Sequence, residues 1–165
     1  MIGVNIILDM FFAAIAGMGF GAISNPPIRS FKFIALLSAA GHVVRYCLMN
    51  YAGVDISVSS FVGALVVGFG SMALGKYNKV PMTVLCIPAL LPMIPGKYAY
   101  NMVFSLIMFM QNSNDPELQN EFMKMFFANS IITSTTLFLL AVGVALPMLI
   151  FPKYALSFTR KSKYH

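Results

Sequence analysis

The fold is decided by residues 80–110, which read VPMTVLCIPALLPMIPGKYAYNMVFSLIMFM. This stretch is almost wholly apolar, yet as one straight helix it would measure about 45 Å, whereas the hydrocarbon core of a bilayer is about 30 Å thick. Its middle contains three prolines and a glycine, namely Pro88, Pro92, Pro95 and Gly96. Each proline removes a backbone donor from a helix, so we predict a membrane-spanning helix that is broken near residues 92–96.

The rest of the chain has the composition of a membrane protein. Of its 165 residues, 59% are hydrophobic and 10% are charged, and the mean hydropathy is +0.81, so its apolar surface exceeds what a water-soluble domain can bury. We predict an all-α, polytopic integral membrane protein of about five transmembrane helices, the fourth broken at prolines, in a single transmembrane domain over residues 1–165. The predicted spans are residues 5–24, 31–49, 57–75, 80–110 and 122–151.

The sequence lacks the motifs of an enzyme. It contains no nucleophile with a base at motif spacing, no phosphate-binding loop and no cluster of metal ligands, so we predict no catalytic residue, no metal and no cofactor. The formal net charge of +6 could suggest nucleic acid, but the basic residues flank hydrophobic runs and form no stripe with interleaved aromatic residues. We therefore predict that the chain lies in a lipid bilayer and does not bind nucleic acid.

Lysine and arginine are divided unequally between the two ends of the predicted spans. One end has only Lys124, and the other has Arg29, Lys32, Lys76, Lys79, Lys153, Arg160, Lys161 and Lys163. Cytoplasmic loops of membrane proteins are enriched in these residues. We predict a multi-pass protein of the cytoplasmic (inner) membrane, with its N-terminus outside and a basic cytoplasmic tail at residues 152–165.

This orientation can be tested by labelling single cysteines. In a chain whose native Cys47 and Cys86 are replaced by alanine, we expect an impermeant thiol reagent to label Asn114→Cys from outside the cell. Ser162→Cys should react only after the membrane is permeabilised. Labelling of Ser162→Cys from outside, or of Asn114→Cys only from inside, would contradict the predicted orientation.

Four ionisable side chains lie inside the predicted spans, namely Asp9, His42, Arg45 and Lys97. A charged residue at the centre of a spanning helix costs about 2.5 to 3.5 kcal/mol on insertion scales, so such residues indicate a specific role. Asp9 and Arg45 are expected at a similar depth, about one turn below the outer surface. We predict that they form an ion pair, which could also serve in coupling.

His42 and Arg45 are three residues apart and share one face of the second span. In a functional interpretation they belong to a polar substrate pathway, in which a histidine can change its protonation near neutral pH. In a structural interpretation they form a polar cluster that joins the first two spans. Both interpretations remain open from the sequence.

The break in the fourth span predicts a carboxylate-binding feature. Lys97 follows Pro95 and Gly96, so it begins a second half-helix whose free N–H groups and positive dipole end favour an anion. Gly96 permits close approach to the backbone, and Tyr100 offers a hydroxyl one turn on. We predict substrate binding by Pro92, Pro95, Gly96, Lys97 and Tyr100, with His42 and Arg45. Alternatively, Lys97 extends towards the membrane surface or pairs elsewhere.

Several short motifs follow one another along the chain. They are Gly19-Phe20-Gly21, Asn25-x-Pro27-x-Arg29, Ala35-Leu36-Leu37, Gly41-His42-x-x-Arg45, Pro92-Met93-x-Pro95-Gly96 and Ala99-Tyr100, followed by the basic tail after Pro152. Together they resemble the YjjB-type small subunit of the threonine/serine exporter family, and the resemblance covers nearly the whole chain. Asp9 fits the same pattern, whereas Lys97 is not part of it.

The resemblance implies a secondary exporter that is divided between two membrane proteins. This chain would be the C-terminal half, and a YjjP-type protein would supply the N-terminal half. The implied substrates are threonine and serine, or succinate for the divided pair. The resemblance also implies that Asn25, Pro27 and Arg29 form a motif of this family.

Residues and resemblance together favour a transporter subunit that exports small carboxylate-bearing metabolites. One alternative is a membrane scaffold or assembly subunit that does not transport, but a scaffold needs neither a midplane break nor buried charges. Another alternative is a passive channel, which would conduct without saturation. Glycine-rich faces on the first and third spans indicate that the chain does not act alone, so a homo-oligomer is considered beside the YjjP-type partner.

Overall fold

The computed structural model describes residues 2–152 of the chain, and within them it contains helices and no strands. Six α-helices follow one another: α1 (Ile2–Ile23), α2 (Phe31–Tyr51), α3 (Ile56–Asn78), α4 (Met82–Leu90), α5 (Gly96–Gln111) and α6 (Pro116–Ile150). Short 3₁₀ turns at Ile28–Ser30 and Leu91–Met93 precede α2 and follow α4. The all-α prediction is confirmed.

Four helices within the described residues, α1, α2, α3 and α6, are long and apolar enough to cross a membrane. A fifth span results if α4, its 3₁₀ turn and α5 are counted as one broken span. The chain is therefore a multi-pass membrane protein, and the predicted number of about five spans is confirmed. The predicted basic tail lies outside the described residues from position 153 onwards.

The fourth span is broken where its prolines lie. α4 ends at Leu90. The 3₁₀ turn Leu91–Met93 follows it, and α5 begins at Gly96. Pro92 and Pro95 have no backbone N–H, so neither can donate the hydrogen bond that would continue the α-helix through this segment. The new helix starts on the Pro95 carbonyl, which accepts hydrogen bonds of 3.1 Å from two backbone N–H groups. The predicted proline-broken helix is confirmed.

The break coincides with a boundary between two compact units. One unit comprises residues 1–93 and 139–165, and the other comprises Ile94–Phe138. The first unit contains a hydrophobic core of twelve buried residues: Phe33, Ile34, Leu37, Ala64, Val67, Val80, Met82, Leu85, Cys86, Ala89, Met93 and Leu140. In the second unit, the buried side chain of Ser105 donates to the Asn101 carbonyl oxygen at 2.6 Å. A single domain over the whole chain stays a prediction.

Glycines let helices of the first unit approach one another closely. A Cβ atom on Gly63 of α3 would lie 2.9 Å from the Gly41 carbonyl oxygen of α2 and 2.5 Å from Met93 Cε. On another part of α3, a Cβ on Gly68 would lie 2.9 Å from Cγ of Pro147 in α6. The hydrophobic effect does not drive helices together in lipid. Small residues favour helix association there because they allow close packing of the backbones. The contact between Gly63 and Gly41 positions α2, which carries the polar residues described next.

Candidate functional site

The ionisable residue of α1 lies beside the histidine of α2. His42 Nδ1 is 3.3 Å from Asp9 Oδ2, and the two side chains are 16% and 33% exposed. The other ring nitrogen, His42 Nε2, is buried and has no hydrogen-bond partner among the residues that the structure describes. One turn before His42 on α2, Ser38 Oγ donates to the Ala13 carbonyl oxygen at 2.7 Å, which holds α1 against α2.

Arg45, one turn further along α2, holds the end of the broken helix. Its Nη1 donates to the Met93 carbonyl oxygen at 2.6 Å. The last carbonyls of a helix lack partners within the helix and form its negative end, so a guanidinium is a suitable donor there. The Met93 side chain is fully buried against Gly41 and Gly63, so the residue before the break is held at both its backbone and its side chain.

Asp9 and Arg45 each contact a group that the sequence did not predict. The structure places Asp9 next to His42 and directs one Arg45 nitrogen to Met93. His42 and Arg45 share a face of α2, as expected for residues three apart. The Asp9–Arg45 ion pair stays a prediction.

A double-mutant cycle measures the Asp9–His42 interaction. We expect Asp9→Asn and His42→Gln each to lower the free energy of unfolding, because each leaves the other residue without its partner at membrane depth. The double variant should lose less than the sum, with a coupling of about 1 to 3 kcal/mol. The measurement is reversible unfolding in mixed micelles. A parallel cycle with Asp9→Asn and Arg45→Met tests the predicted ion pair. Strict additivity in a cycle would reject the interaction that this cycle measures.

The remaining predicted substrate residues begin α5, apart from Pro92, which lies in the 3₁₀ turn of the first unit. Gly96 and Lys97 are exposed, and Tyr100 is 69% exposed, with its ring stacked on Phe104 at a centroid distance of 6.1 Å. Lys97 and Tyr100 are three apart and share one face of the helix. The structure thus describes two groups of predicted residues, each within its own compact unit, and substrate binding by either group stays a prediction.

The family-motif residues build the connection between α1 and α2. Asn25 has a left-handed backbone with φ of 46°, a conformation that asparagine tolerates better than most residues. The Pro27 carbonyl accepts the N–H of Ser30 at 2.7 Å, and Arg29 lies within the 3₁₀ turn that follows. The motif therefore has a local structural role in turning the chain.

The sequence analysis did not predict two contacts of the site. One is the Met93 carbonyl as the acceptor for Arg45, and the other is Asp9 as the partner of His42. The sequence held no signal for the first, because every residue carries a backbone carbonyl. Among the described residues, no group of three or more His, Cys, Asp or Glu side chains could hold a metal ion.

One comparison with known proteins identifies a family. The sequence profile described as "Threonine/Serine exporter, ThrE" matches residues 9–150. An uncharacterized protein from Haemophilus influenzae is 31% identical over 147 residues, which cover 89% of this chain and 48% of that protein. The chain thus spans about half the length of this relative. No solved structure matches the sequence with significance.

Proposed function

Because the chain belongs to the threonine/serine exporter family, we propose that it is one part of a transporter that exports small carboxylate-bearing metabolites. Threonine, serine and a dicarboxylate such as succinate are the proposed substrates. Transport would proceed by alternating access across the cytoplasmic membrane, with the N-terminus outside. The family is a transporter family, which fits the absence of a predicted catalytic residue.

The observation that carries this proposal is the interruption of the fourth span between Met93 and Gly96. Irregular backbone at membrane depth is tolerated only where it is buried in protein or lines a water-filled cavity. Many secondary transporters bind their substrates at such interrupted helices, where half-helix ends meet the charged groups of the substrate. The contact of Arg45 with the Met93 carbonyl supports a defined geometry at this position.

We further propose that a second protein completes the transporter. The chain covers only 48% of its relative from Haemophilus influenzae, so about half of that protein has no counterpart in this chain. A YjjP-type subunit is the proposed source of the other half, with this chain as the C-terminal half. Self-association into a homo-oligomer is the alternative arrangement.

Efflux from reconstituted vesicles tests the proposed function. We expect vesicles that contain the chain and a co-purified YjjP-type subunit to release labelled threonine, serine or succinate at a rate that saturates with concentration. Vesicles that contain either protein alone should release little. Flux that rises linearly without saturation would indicate a channel, and a complex that forms but releases none of the three compounds would indicate a scaffold.

A further inference from the structure

One end of the first unit is strongly basic. Its cations lie in the connection between α1 and α2, in the connection between α3 and α4, and in the adjoining helix turns. They are Arg29, Lys32, Lys76 and Lys79, and all four are exposed. The two connections are joined, because the Asn78 side chain donates a hydrogen bond to Ser30 Oγ at 3.2 Å. The four cations therefore belong to one surface, which we call the basic end.

The described residues of the first unit place no carboxylate at the basic end. Their two carboxylates are Asp9 and Asp55. Asp9 lies about 21 Å along α1 from its last residue, Ile23, and Asp55 lies about 34 Å along α3 from Asn78. Both distances are more than twice the Debye length of about 8 Å at physiological ionic strength, so the two carboxylates are largely screened. The first unit therefore supplies no counter-charge for its basic end.

Aromatic and apolar side chains accompany these cations. Tyr77 is 79% exposed, and its ring meets the Phe33 ring edge to face at a centroid distance of 6.2 Å. The Lys32 ammonium lies 5.0 Å from the centroid of the same Phe33 ring. Beside Arg29, Ile28 is 89% exposed. Tyrosine is enriched where a membrane meets water, since its ring is apolar and its hydroxyl is polar. The basic end thus has the composition of a surface at the level of lipid headgroups.

A narrow groove opens beside the basic end, where α1 packs against α4. It has a volume of about 190 Å³, and it is lined by Ser24, directly after α1, and by Thr83, Val84, Ile87 and Pro88 of α4. The two hydroxyl-bearing residues lie next to the connections that carry the cations, and Ile87 lies one turn further along α4 than Thr83. The groove is therefore polar near the basic end and apolar beyond it.

This order of surfaces matches an anionic phospholipid, in which a negatively charged phosphate is attached to apolar acyl chains. Basic pockets between transmembrane helices are a recurring kind of site for such headgroups. A small water-soluble carboxylate fits the groove less well, because its walls contain no cation and are mostly apolar. Cations that serve only to orient a protein in the membrane need no groove beside them.

We propose that the basic end and its groove bind one anionic phospholipid, with the phosphate among the cations and one acyl chain along Val84 and Ile87. Arg29 and Lys79 are the cations assigned to the phosphate, since they are nearest along the chain to Ser24 and Thr83. Lys32 is held over an aromatic ring. This lipid site goes beyond the proposed export function and depends on neither its substrate nor its direction.

Native mass spectrometry of the full chain in detergent micelles tests the proposal, because it counts bound lipids and yields a Kd for each. The two probes are dioleoyl phosphatidylglycerol, which is anionic, and dioleoyl phosphatidylcholine, which has the same chains and no net charge. One cation near an anionic headgroup contributes about a fivefold change in affinity. We therefore expect one phosphatidylglycerol molecule to bind about 25-fold more tightly than phosphatidylcholine, through the two assigned cations.

Charge variants identify the headgroup site. Arg29→Gln and Lys79→Asn should each weaken phosphatidylglycerol binding about fivefold and leave phosphatidylcholine binding unchanged. Asparagine is chosen for Lys79 because it tolerates the left-handed backbone there, with φ of 54°. Lys124→Gln removes an exposed lysine of the second unit, and it should leave both Kd values unchanged.

A groove variant and a soluble competitor identify the acyl-chain site. Thr83→Phe adds a large side chain to the groove, so it should weaken the binding of both lipids while their ratio of affinities stays the same. Glycerophosphoglycerol, the headgroup without acyl chains, should not displace phosphatidylglycerol even in large excess. Displacement would show that a phosphate alone is bound, and unchanged lipid binding by Thr83→Phe would remove the groove from the site.

Equal affinities for the two lipids, or equal effects of Arg29→Gln and Lys124→Gln, would overturn the proposal. If Arg29→Gln and Lys79→Asn instead prevent co-purification with the YjjP-type subunit, the basic end would bind an acidic segment of that protein rather than a lipid. None of these measurements uses efflux as its readout. Failure of the lipid site therefore leaves the proposed export function in place, and failure of export leaves the lipid site.

Discussion

Gly96→Leu is expected to abolish export while the protein still inserts and folds. A Cβ atom at this position meets no atom of the described residues within 4 Å, and Gly96 begins α5 without a left-handed backbone. The added Cβ atom therefore meets open space, and we expect the leucine side chain to obstruct a ligand that approaches the first N–H groups of α5. Efflux from vesicles measures the loss of export, and thermal unfolding in micelles checks that the variant still folds.

Two further variants on α5 complete this experiment. Lys97→Met should weaken substrate affinity by only a modest factor, because the backbone N–H groups of the helix start remain. Val103→Leu enlarges an exposed side chain on the same helix and should leave efflux and stability unchanged. Normal efflux by correctly inserted Gly96→Leu protein would remove the helix start from the substrate site and leave His42 and Arg45 as the candidates.

Gly63→Leu is expected to have a different effect, a large loss of stability. Its Cβ atom would lie 2.9 Å from the Gly41 carbonyl oxygen, and a backbone atom cannot move aside as a side chain can. Overpacking at such a contact should lower the free energy of unfolding by about 3 kcal/mol. The measurement is reversible unfolding in mixed micelles, together with the yield of monodisperse protein.

The surroundings of Gly63 provide its controls. Met93→Ala removes the flexible Met93 Cε contact at 2.5 Å but not the backbone contact, so it should recover only part of the stability of Gly63→Leu. Gly19→Leu adds the same side chain to α1, where a Cβ meets no atom of the described residues within 4 Å, and should cost little. Equal losses for Gly19→Leu and Gly63→Leu would contradict the close approach of α2 and α3.

The broken helix is the part of the fold that the sequence predicted best, because a proline leaves the backbone few alternatives. Helix ends were less predictable. The predicted fifth span begins at residue 122, whereas α6 already begins at Pro116. Asp115 Oδ1 accepts the N–H groups of Glu117 and Leu118 at 3.1 and 3.2 Å, so it caps the helix. An aspartate followed by proline is a start signal that outweighs the polarity of the first turn.

The polar pairing could be predicted only in part. The sequence predicts that Asp9 pairs with Arg45, but depth alone does not distinguish Arg45 from His42, which lies one turn away. The choice depends on the rotation of α1, which is set by contacts such as Ser38 Oγ with the Ala13 carbonyl. The partner of Arg45 is a backbone oxygen, and every residue has one. A sequence therefore identifies the donor in this contact but not its acceptor.

The length of α6 makes bilayer thickness an experimental variable for this protein. Its 35 residues correspond to about 52 Å, whereas the apolar part of α1, Ile6–Ile23, corresponds to about 27 Å. A short-chain lipid matches α1, and α6 must then tilt or extend its charged first turns into water. A long-chain lipid matches more of α6 but draws the Asp9 end of α1 into hydrocarbon. Acyl-chain length in reconstituted vesicles should therefore alter activity through hydrophobic mismatch, without any change in sequence.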